Sequence, residues 1–285
     1  MSKIIYKAES QNFKWSFVLP WLIIKDLYRH RLMIRTMTVR DFHSAYQASY
    51  LGLMWQILLP LIMLAIYYFI IGKVLGGRFL PIGDEGPLDF ALALFIGLAF
   101  FNTFAQSLGS ASNLIISNVT YVKTLSFPLE VLPLVASINS LINLFISICI
   151  TMLVLLFSRG GLPLSAILMP IYILSLFLLI LGVMYGISAL AVFFRDITPI
   201  MSPLILLLMF ICPIFYPMSM VPVNLRWLMM LNPLAIIIED ARGCLLGGLW
   251  PSSGGLSALF VVSITVFVSG FYFFMRTKPA FSDVM

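Results

Sequence analysis

Long runs of apolar residues recur along the chain, separated by short segments rich in Gly, Pro and charged residues. Each run holds about 20 residues, which is the length that a helix needs to cross the hydrocarbon core of a bilayer. The pattern predicts an all-α membrane protein with six transmembrane helices. The six predicted spans are Leu51–Ile71, Leu88–Leu108, Val131–Phe157, Leu164–Phe193, Pro199–Tyr216 and Leu256–Phe274.

The segment Pro217–Trp250, between the fifth and sixth predicted spans, is apolar but is broken by Pro222 and Pro233. Broken helices are tolerated at membrane depth where protein or a water-filled cavity surrounds them. The pattern favours two short re-entrant helices that enter from the outer side; an ordinary extracellular loop with an apolar cap is the alternative. We predict an outer gate formed by the charged residues Arg226, Glu239 and Arg242. The last two are spaced to pair at i,i+3.

Residues 1–50 form a basic N-terminal segment ahead of a six-helix domain at residues 51–285. Within it, residues 13–35 begin with apolar and aromatic side chains and continue with basic ones, as in an amphipathic helix that lies in the membrane interface. A basic tail with an incidental apolar patch is the alternative. Because Gly52 lies inside the helical pattern and no proline occurs between Arg40 and Pro60, we predict one helix that continues from the interface into the first span.

The composition agrees with a polytopic membrane protein. Hydrophobic residues make up 61% of the 285 residues, charged residues make up 10%, and the mean hydropathy is +1.07. Most of the 17 Lys and Arg residues fall in the N-terminal segment or in segments that an even number of spans places on the same side. This bias predicts that both termini are cytoplasmic. The net charge of +6 therefore indicates topology and attraction to lipid head groups, and we expect no nucleic-acid binding.

The chain lacks the motifs expected of an enzyme or of an ion-coupled carrier. It contains no phosphate-binding GxxxxGK[ST] and no GxSxG or HExxH, and its three cysteines are scattered. Ion-coupled carriers hold ionisable side chains at mid-membrane, whereas the predicted spans are almost free of them. We therefore expect no catalytic residue, metal or cofactor in this chain. For a transporter, the simplest energy source is then a partner ATPase that binds ATP in a separate subunit.

Five sequence blocks resemble those of a known family. The stretch RDFHSAYQASYLGLMWQILLP, from Arg40, is similar to the block RDxxxxYxxSxLGxxWxxxxP of the ABC-2 type permeases that export polysaccharides. The other blocks follow in the family's order. They are LSFPLEVLPL from Leu125, FFRDI from Phe193, CPIFYP from Cys212 and NPL from Asn232.

The resemblance implies a permease subunit of the bacterial cytoplasmic (inner) membrane that works as a homodimer with two copies of an ABC ATP-binding subunit. It also implies a lipid-linked polysaccharide as cargo. Exporters of O-antigen are most alike, and capsule and teichoic acid exporters are near relatives. Two alternatives stay open: an ABC-2 permease for a drug, peptide or lipid, and a membrane-embedded glycan-modifying enzyme.

The family uses the loops after the second and fourth spans to contact the ATPase. Residues 113–128 are the best candidate for a short coupling helix, with Ser117 or Asn118 as its N-cap and Pro128 beyond its end. For the charged residues at this face, topology-setting charge with local capping is the alternative. The predicted ATPase-coupling residues are Arg40, Asp41, Asn118, Tyr121, Lys123, Arg195 and Asp196.

Aromatic residues are dense, with 24 Phe, 11 Tyr and 5 Trp, and we expect a minority of them to line a conduit. Sugars expose C–H faces that stack weakly on aromatic rings, and a polymer that slides needs contacts that it can leave again. The resemblance favours the first, second and fifth spans as the lining. The predicted path residues are Tyr67, Tyr68, Phe104 and Tyr216, and ordinary packing is the alternative for each.

Overall fold

The computed structural model describes residues 28–44, 49–74, 86–123 and 127–285, and all regular structure in these ranges is helical. The all-α prediction is therefore confirmed. The α-helices are α1 Arg31–Ser44, α2 Trp55–Ile66, α3 Pro87–Leu114, α4 Val119–Val122, α5 Val131–Arg159, α6 Met169–Phe193, α7 Ile197–Ile211, α8 Val223–Met230, α9 Pro233–Leu246, α10 Ser253–Thr277 and α11 Phe281–Val284. Short 3-10 helices lie at Gly52–Met54, Ile116–Asn118, Leu164–Leu168, Met218–Met220 and Lys278–Ala280, and α2 continues as a π-helix over Tyr67–Val74.

Five helical stretches among the described residues are long and apolar enough to cross a membrane, and they coincide with five of the predicted spans. They are Gly52–Val74, Pro87–Leu114, Val131–Arg159, Leu164–Phe193 and Ser253–Val284. The remaining predicted span overlaps α7, a helix of 15 residues. At 1.5 Å per residue it is about 22 Å long, less than the ~30 Å of a hydrocarbon core. It ends at Ile211 because Pro213 disfavours a helical conformation at Cys212, whose ψ is 140°.

The prediction of one helix running from the interface into the first span is wrong. α1 ends at Ser44, and the described chain resumes with a turn before the 3-10 helix Gly52–Met54. Gly52 has a φ of +51°, a left-handed conformation that glycine adopts without steric cost. Gly52 therefore breaks the helix before the first span. Of the predicted interface helix at residues 13–35, residues 13–27 lie outside the described part of the chain.

The centre of the bundle is α3. In the most apolar 18-residue stretch of α3, 67% of the residues are buried, compared with 12% in the corresponding stretch of the first span. Its large side chains, such as Phe95 and Phe100, form the core with α5, α6, α7 and α9. Any side chain of α3 that remains exposed therefore marks a surface that the described residues of this subunit do not cover.

Helices α6 and α10 pack at close range through glycines. A Cβ added at Gly270 would lie 2.0 Å from the backbone oxygen of Gly182. Small residues allow this approach of two backbones, as they do at many interfaces between membrane helices. The contact fixes the last span against α6.

Candidate functional site

We call the end of the bundle that carries α1, α4 and the start of α5 its inner end. Here Arg40, on α1, joins two of the predicted coupling residues. Its guanidinium donates to one carboxylate oxygen of Asp41 at 2.8 and 3.0 Å, and its Nη1 donates to the hydroxyl oxygen of Tyr121 at 3.3 Å. The bond to Tyr121 and then those to Asp41 raise the pKa of Arg40 above its ordinary value. The ring of Tyr121 also stacks on Phe127, with 4.4 Å between centroids.

The predicted coupling segment is helical but short. Its described part includes the 3-10 helix Ile116–Asn118 and the single turn α4, which ends at Val122. The predicted cap is wrong in its chemistry, because Asn118 stands at the N-cap of α4 but its side chain makes no capping bond. Instead its amide nitrogen donates to the backbone oxygen of Leu114 at 2.8 Å. Asn118 thus holds α4 to the end of α3 and so connects the inner end to the central helix.

A buried ion pair at the inner end was missed from the sequence. The carboxylate of Glu130 is 6% exposed and lies 2.5 Å from the ammonium of Lys278. The hydroxyl of Tyr185 donates to the backbone oxygen of Glu130 at 2.7 Å, and Phe274 and Phe281 pack against each other and around that tyrosine. The C-terminal residues therefore lock onto the start of α5. The two residues are 148 positions apart in the sequence, which gives no sign that they meet.

The other predicted coupling residues are exposed. Lys123 follows α4, and Arg195 and Asp196 form the turn between α6 and α7. Asp196 stands at the N-cap of α7 without a capping bond from its side chain. Within the described residues, no ion pair joins these three to the cluster around Arg40.

A cavity of about 250 Å³ lies between the first span, α3 and α5. Aromatic side chains border it on two of these elements, namely Trp55, Tyr67 and Phe95. Trp55 is held by a 2.8 Å hydrogen bond from its indole nitrogen to the hydroxyl of Ser49. Tyr67 stands at the start of the π-helix, an irregularity that often accompanies functional positions. The remaining lining includes uncharged amides and hydroxyls, and none of the described residues that border this cavity is charged.

The predicted path residues are placed differently from one another. Tyr67 lines the cavity. The ring of Tyr68 faces the ammonium of Lys73, 5.3 Å from its centroid. Phe104 is 8% exposed and belongs to the core around α3. The hydroxyl of Tyr216 donates to the backbone oxygen of Phe210 at 2.6 Å, near the end of α7.

At the opposite end of the bundle, which we call its outer end, Arg242 is buried and joins three elements. Its guanidinium donates to the backbone oxygens of Ala93 in α3, at 3.1 Å, and of Pro213 and Ile214 after α7, at 3.1 and 3.3 Å. It also bonds to the carboxylate of Glu239 at 3.1 Å, so the predicted i,i+3 pair is present. The planar fork of arginine suits this task because it aims several donors in fixed directions.

The remaining member of the predicted outer gate, Arg226, donates from Nε to the backbone oxygen of Val221 at 2.9 Å. We call Arg242 and the groups that it bonds the Arg242 clamp. A second cavity, of about 270 Å³, adjoins it and is lined by Glu239, Asp240 and Trp250 among others. The structure therefore places both Glu239 and Arg242 beside a cavity, and Arg242 also acts as a buried link between helices.

Residues 33–246 match the model of the ABC-2 type transporter family. This chain belongs to the ABC-2 type transporter family. Two similar proteins bear the name O-antigen export system permease protein RfbA. One, from Myxococcus xanthus, is 26% identical over 264 residues, which cover 92% of this chain and 98% of the relative. One from Klebsiella pneumoniae is 28% identical over 255 residues, which cover 89% of this chain and 95% of the relative.

Membership confirms the family resemblance of the five sequence blocks. An ABC-2 permease is the membrane subunit of an ABC transporter and is not itself catalytic, and this one is a multi-pass membrane protein. The matched range runs from α1 to the end of α9, so it contains the Arg40–Tyr121 contact, the cavity and the Arg242 clamp. Lys278, which completes the ion pair of the permease at the inner end, lies beyond it.

Proposed function

We propose that this permease is the transmembrane subunit of an ATP-driven exporter of lipid-linked O-antigen polysaccharide. Two copies of the chain associate with two copies of an ATP-binding subunit in the bacterial inner membrane, and both termini lie in the cytoplasm. The observation that carries the proposal is the similarity to two O-antigen export permeases over about nine-tenths of this chain.

The distribution of charge supports an energy source outside the membrane. In the five described spans, the charged side chains lie towards the ends, as where Arg159 of α5 bonds to Asp89 of α3 at 2.6 Å. An ion-coupled carrier needs such groups at mid-membrane to bind its driving ion. ATP bound by the partner subunit supplies the work instead, and this chain holds no cofactor.

The inner end offers a route for that work. An ATPase that contacts α4 and the exposed Lys123, Arg195 and Asp196 pushes on Tyr121 and hence on Arg40. Because Asn118 ties α4 to α3, the same displacement reaches the central helix and the cavity beside it. The conduit then follows the predicted aromatic lining, with Tyr67 at the described cavity. The other predicted lining residues on this path are Tyr68 and Tyr216, whereas Phe104 is buried in the core around α3.

In this arrangement α7 and the following residues 212–216 complete a sixth crossing. The short helices α8 and α9 enter from the outer side, and the proline-broken sequence between them supports this. Arg226, Glu239 and Arg242 then form the outer gate, with Arg242 as its anchor.

The test uses the organism's own cells with the gene deleted and then restored. We expect deletion to remove O-antigen from the cell surface while the lipid-linked chains accumulate inside, because synthesis continues without export. The restored gene recovers both, and the chain copurifies with an ATP-binding subunit. As a matched control, the same restored strain carries that subunit with its Walker lysine replaced, which blocks export without removing the permease.

Two outcomes would reject the proposal. One is transport by vesicles that hold this polypeptide alone and are driven by a proton or sodium gradient. The other is normal surface O-antigen in the deletion strain together with loss of capsule, teichoic acid or drug export, which identifies the permease as an exporter of that cargo.

A further inference from the structure

The central helix α3 exposes a line of uncharged polar side chains. Asn102, Gln106, Ser110 and Asn113 are all exposed, although most of α3 is buried. Their spacing of three or four residues places them on one face of the helix. The line therefore runs along a side of α3 that the described part of the subunit leaves uncovered.

Part of this line lies at mid-membrane depth and meets polar residues on two other elements. Asn102 on α3 and Asn143 on α5 each lie twelve residues from the inner ends of their helices, Leu114 and Val131. At 1.5 Å per residue this is about 18 Å. Both border the cavity of about 250 Å³, as does Gln56 of the first span.

The side-chain amides on these helices are polar groups that lipid chains could not hydrogen-bond. We call Gln56, Asn102, Gln106 and Asn143 the amide strip. Within the part of the chain that the structure describes, none of the four makes a side-chain hydrogen bond to another protein atom. Gln56 is only 7% exposed and still borders the cavity. A carboxamide without a partner in an apolar environment is costly, so the strip requires a polar occupant.

We infer that the amide strip binds the hydroxyl groups of the uncharged sugar rings of the exported glycan. A carboxamide both donates and accepts hydrogen bonds, and so does a sugar hydroxyl. Neither group carries charge, so each bond is weak enough to be exchanged as the polymer moves. Trp55, Tyr67 and Phe95 border the same cavity and offer apolar faces to the ring carbons. The inference rests on the proposed function and names the chemistry of the conduit.

The lining also argues against other occupants. An anionic head group or a metal ion is bound by charged ligands, and the cavity lining contains none among the residues that the structure describes. A second copy of the chain could pair its own amides with the strip, and this possibility is decided by the oligomeric state of the variants below.

The test compares variants of nearly equal volume in the complex of the permease with its ATP-binding subunit. Asn102→Leu with Gln106→Met removes two amides, whereas Asn102→Gln with Gln106→Asn keeps them. On α5, Asn143→Leu and Asn143→Gln form a second matched pair. The readouts are surface O-antigen in the restored deletion strain, and the dimeric state and ATP hydrolysis of the purified complex.

We expect the apolar variants to lower the export rate by about two- to tenfold per amide, because one hydrogen bond contributes about 0.5–1.5 kcal/mol. The amide-keeping variants retain most of the rate, and every variant stays dimeric. Equal export by the apolar and amide-keeping variants would overturn the inference, as would loss of the dimer in the apolar variants of both helices. If the unaltered permease exports no O-antigen, the proposed function fails instead, so the two failures are distinguishable.

Discussion

Replacing Arg242 by Met tests whether the outer clamp holds the helices together. Met has a similar length but no donor, so the substitution removes the bonds to Ala93, Pro213, Ile214 and Glu239 at once. The losses are unequal. The oxygen of Ala93 lies within α3 and keeps its helical partner, and the side chain of Glu239 is 36% exposed and gains water. The oxygens of Pro213 and Ile214 follow the end of α7 and receive no helical N–H.

The expected loss of stability in Arg242→Met comes from the backbone oxygens of Pro213 and Ile214. Both residues are buried, and an acceptor left unpaired in a buried site costs about 1–3 kcal/mol. We therefore expect Arg242→Met to lower the free energy of unfolding by about 2–6 kcal/mol. Arg242→Lys is the control, because an ammonium keeps the charge but cannot aim donors in all these directions. It should recover only part of the loss.

A substitution at Gly97 independently tests whether the guanidinium of Arg242 occupies this position. A Cβ at Gly97 would lie 2.7 Å from Nη2 of Arg242, and its next nearest neighbours are at ordinary contact distances of 3.5 and 3.6 Å. Gly97→Ala should therefore cost about 1–3 kcal/mol when Arg242 is present. In the Arg242→Met background, where the guanidinium is absent, it should cost much less. The coupling energy of this double-mutant cycle measures the contact itself.

The assay is reversible unfolding of the purified permease in mixed micelles with increasing dodecyl sulfate, followed by helical circular dichroism. Two results would refute the reasoning. One is a loss below about 1 kcal/mol for Arg242→Met, less than a single unpaired acceptor should cost. The other is additivity of the two substitutions to within about 0.5 kcal/mol, as expected for sites that do not interact.

Three further predictions use the same unfolding assay or the ATPase. Lys278→Met should lower the free energy of unfolding by about 3–5 kcal/mol because it leaves Glu130 buried without its partner. Adding Glu130→Gln should restore part of the lost stability. A double variant no more stable than Lys278→Met would contradict the prediction. Gly270→Ala should separate α6 and α10, because its Cβ would lie 2.0 Å from a backbone oxygen. The control Gly186→Ala, whose Cβ would have no atom within 4 Å, should change stability by less than about 0.5 kcal/mol. Equal losses of stability in the two variants would rule out the close approach of the helices. Tyr121→Phe keeps the ring but removes the hydroxyl that binds α1. It should therefore lower the export per ATP hydrolysed in the complex while stability changes little. An unchanged ratio of export to ATP hydrolysis would exclude this contact from the route by which the ATPase moves the permease.

Much of the fold could be read from the sequence because span length is a local property. A helix rises by a fixed distance per residue, so a run such as 131–157 predicts its own crossing, and the structure has a helix at Val131–Arg159. The pairing of Glu239 with Arg242 was equally predictable, since both lie on one helix at i,i+3. The errors fell where a single residue changes the local backbone. Gly52, with its positive φ, interrupts a pattern that otherwise continues as a helix, and Asn118 bonds back to Leu114 although it stands at a capping position.

What the tertiary structure alone decided is which distant polar groups meet. Arg40 reaches Tyr121, Glu130 reaches Lys278, and Arg242 reaches Ala93 of the central helix. The sequence by itself fixes which residue types each helix carries and on which face they lie. It does not fix the rotation and axial offset between helices, which depend on how side chains interlock and on how closely backbones approach, as at the glycine contact of α6 and α10. For this permease, the sequence therefore determined a membrane bundle of a recognisable family, and the packing determined which of its polar residues line a cavity.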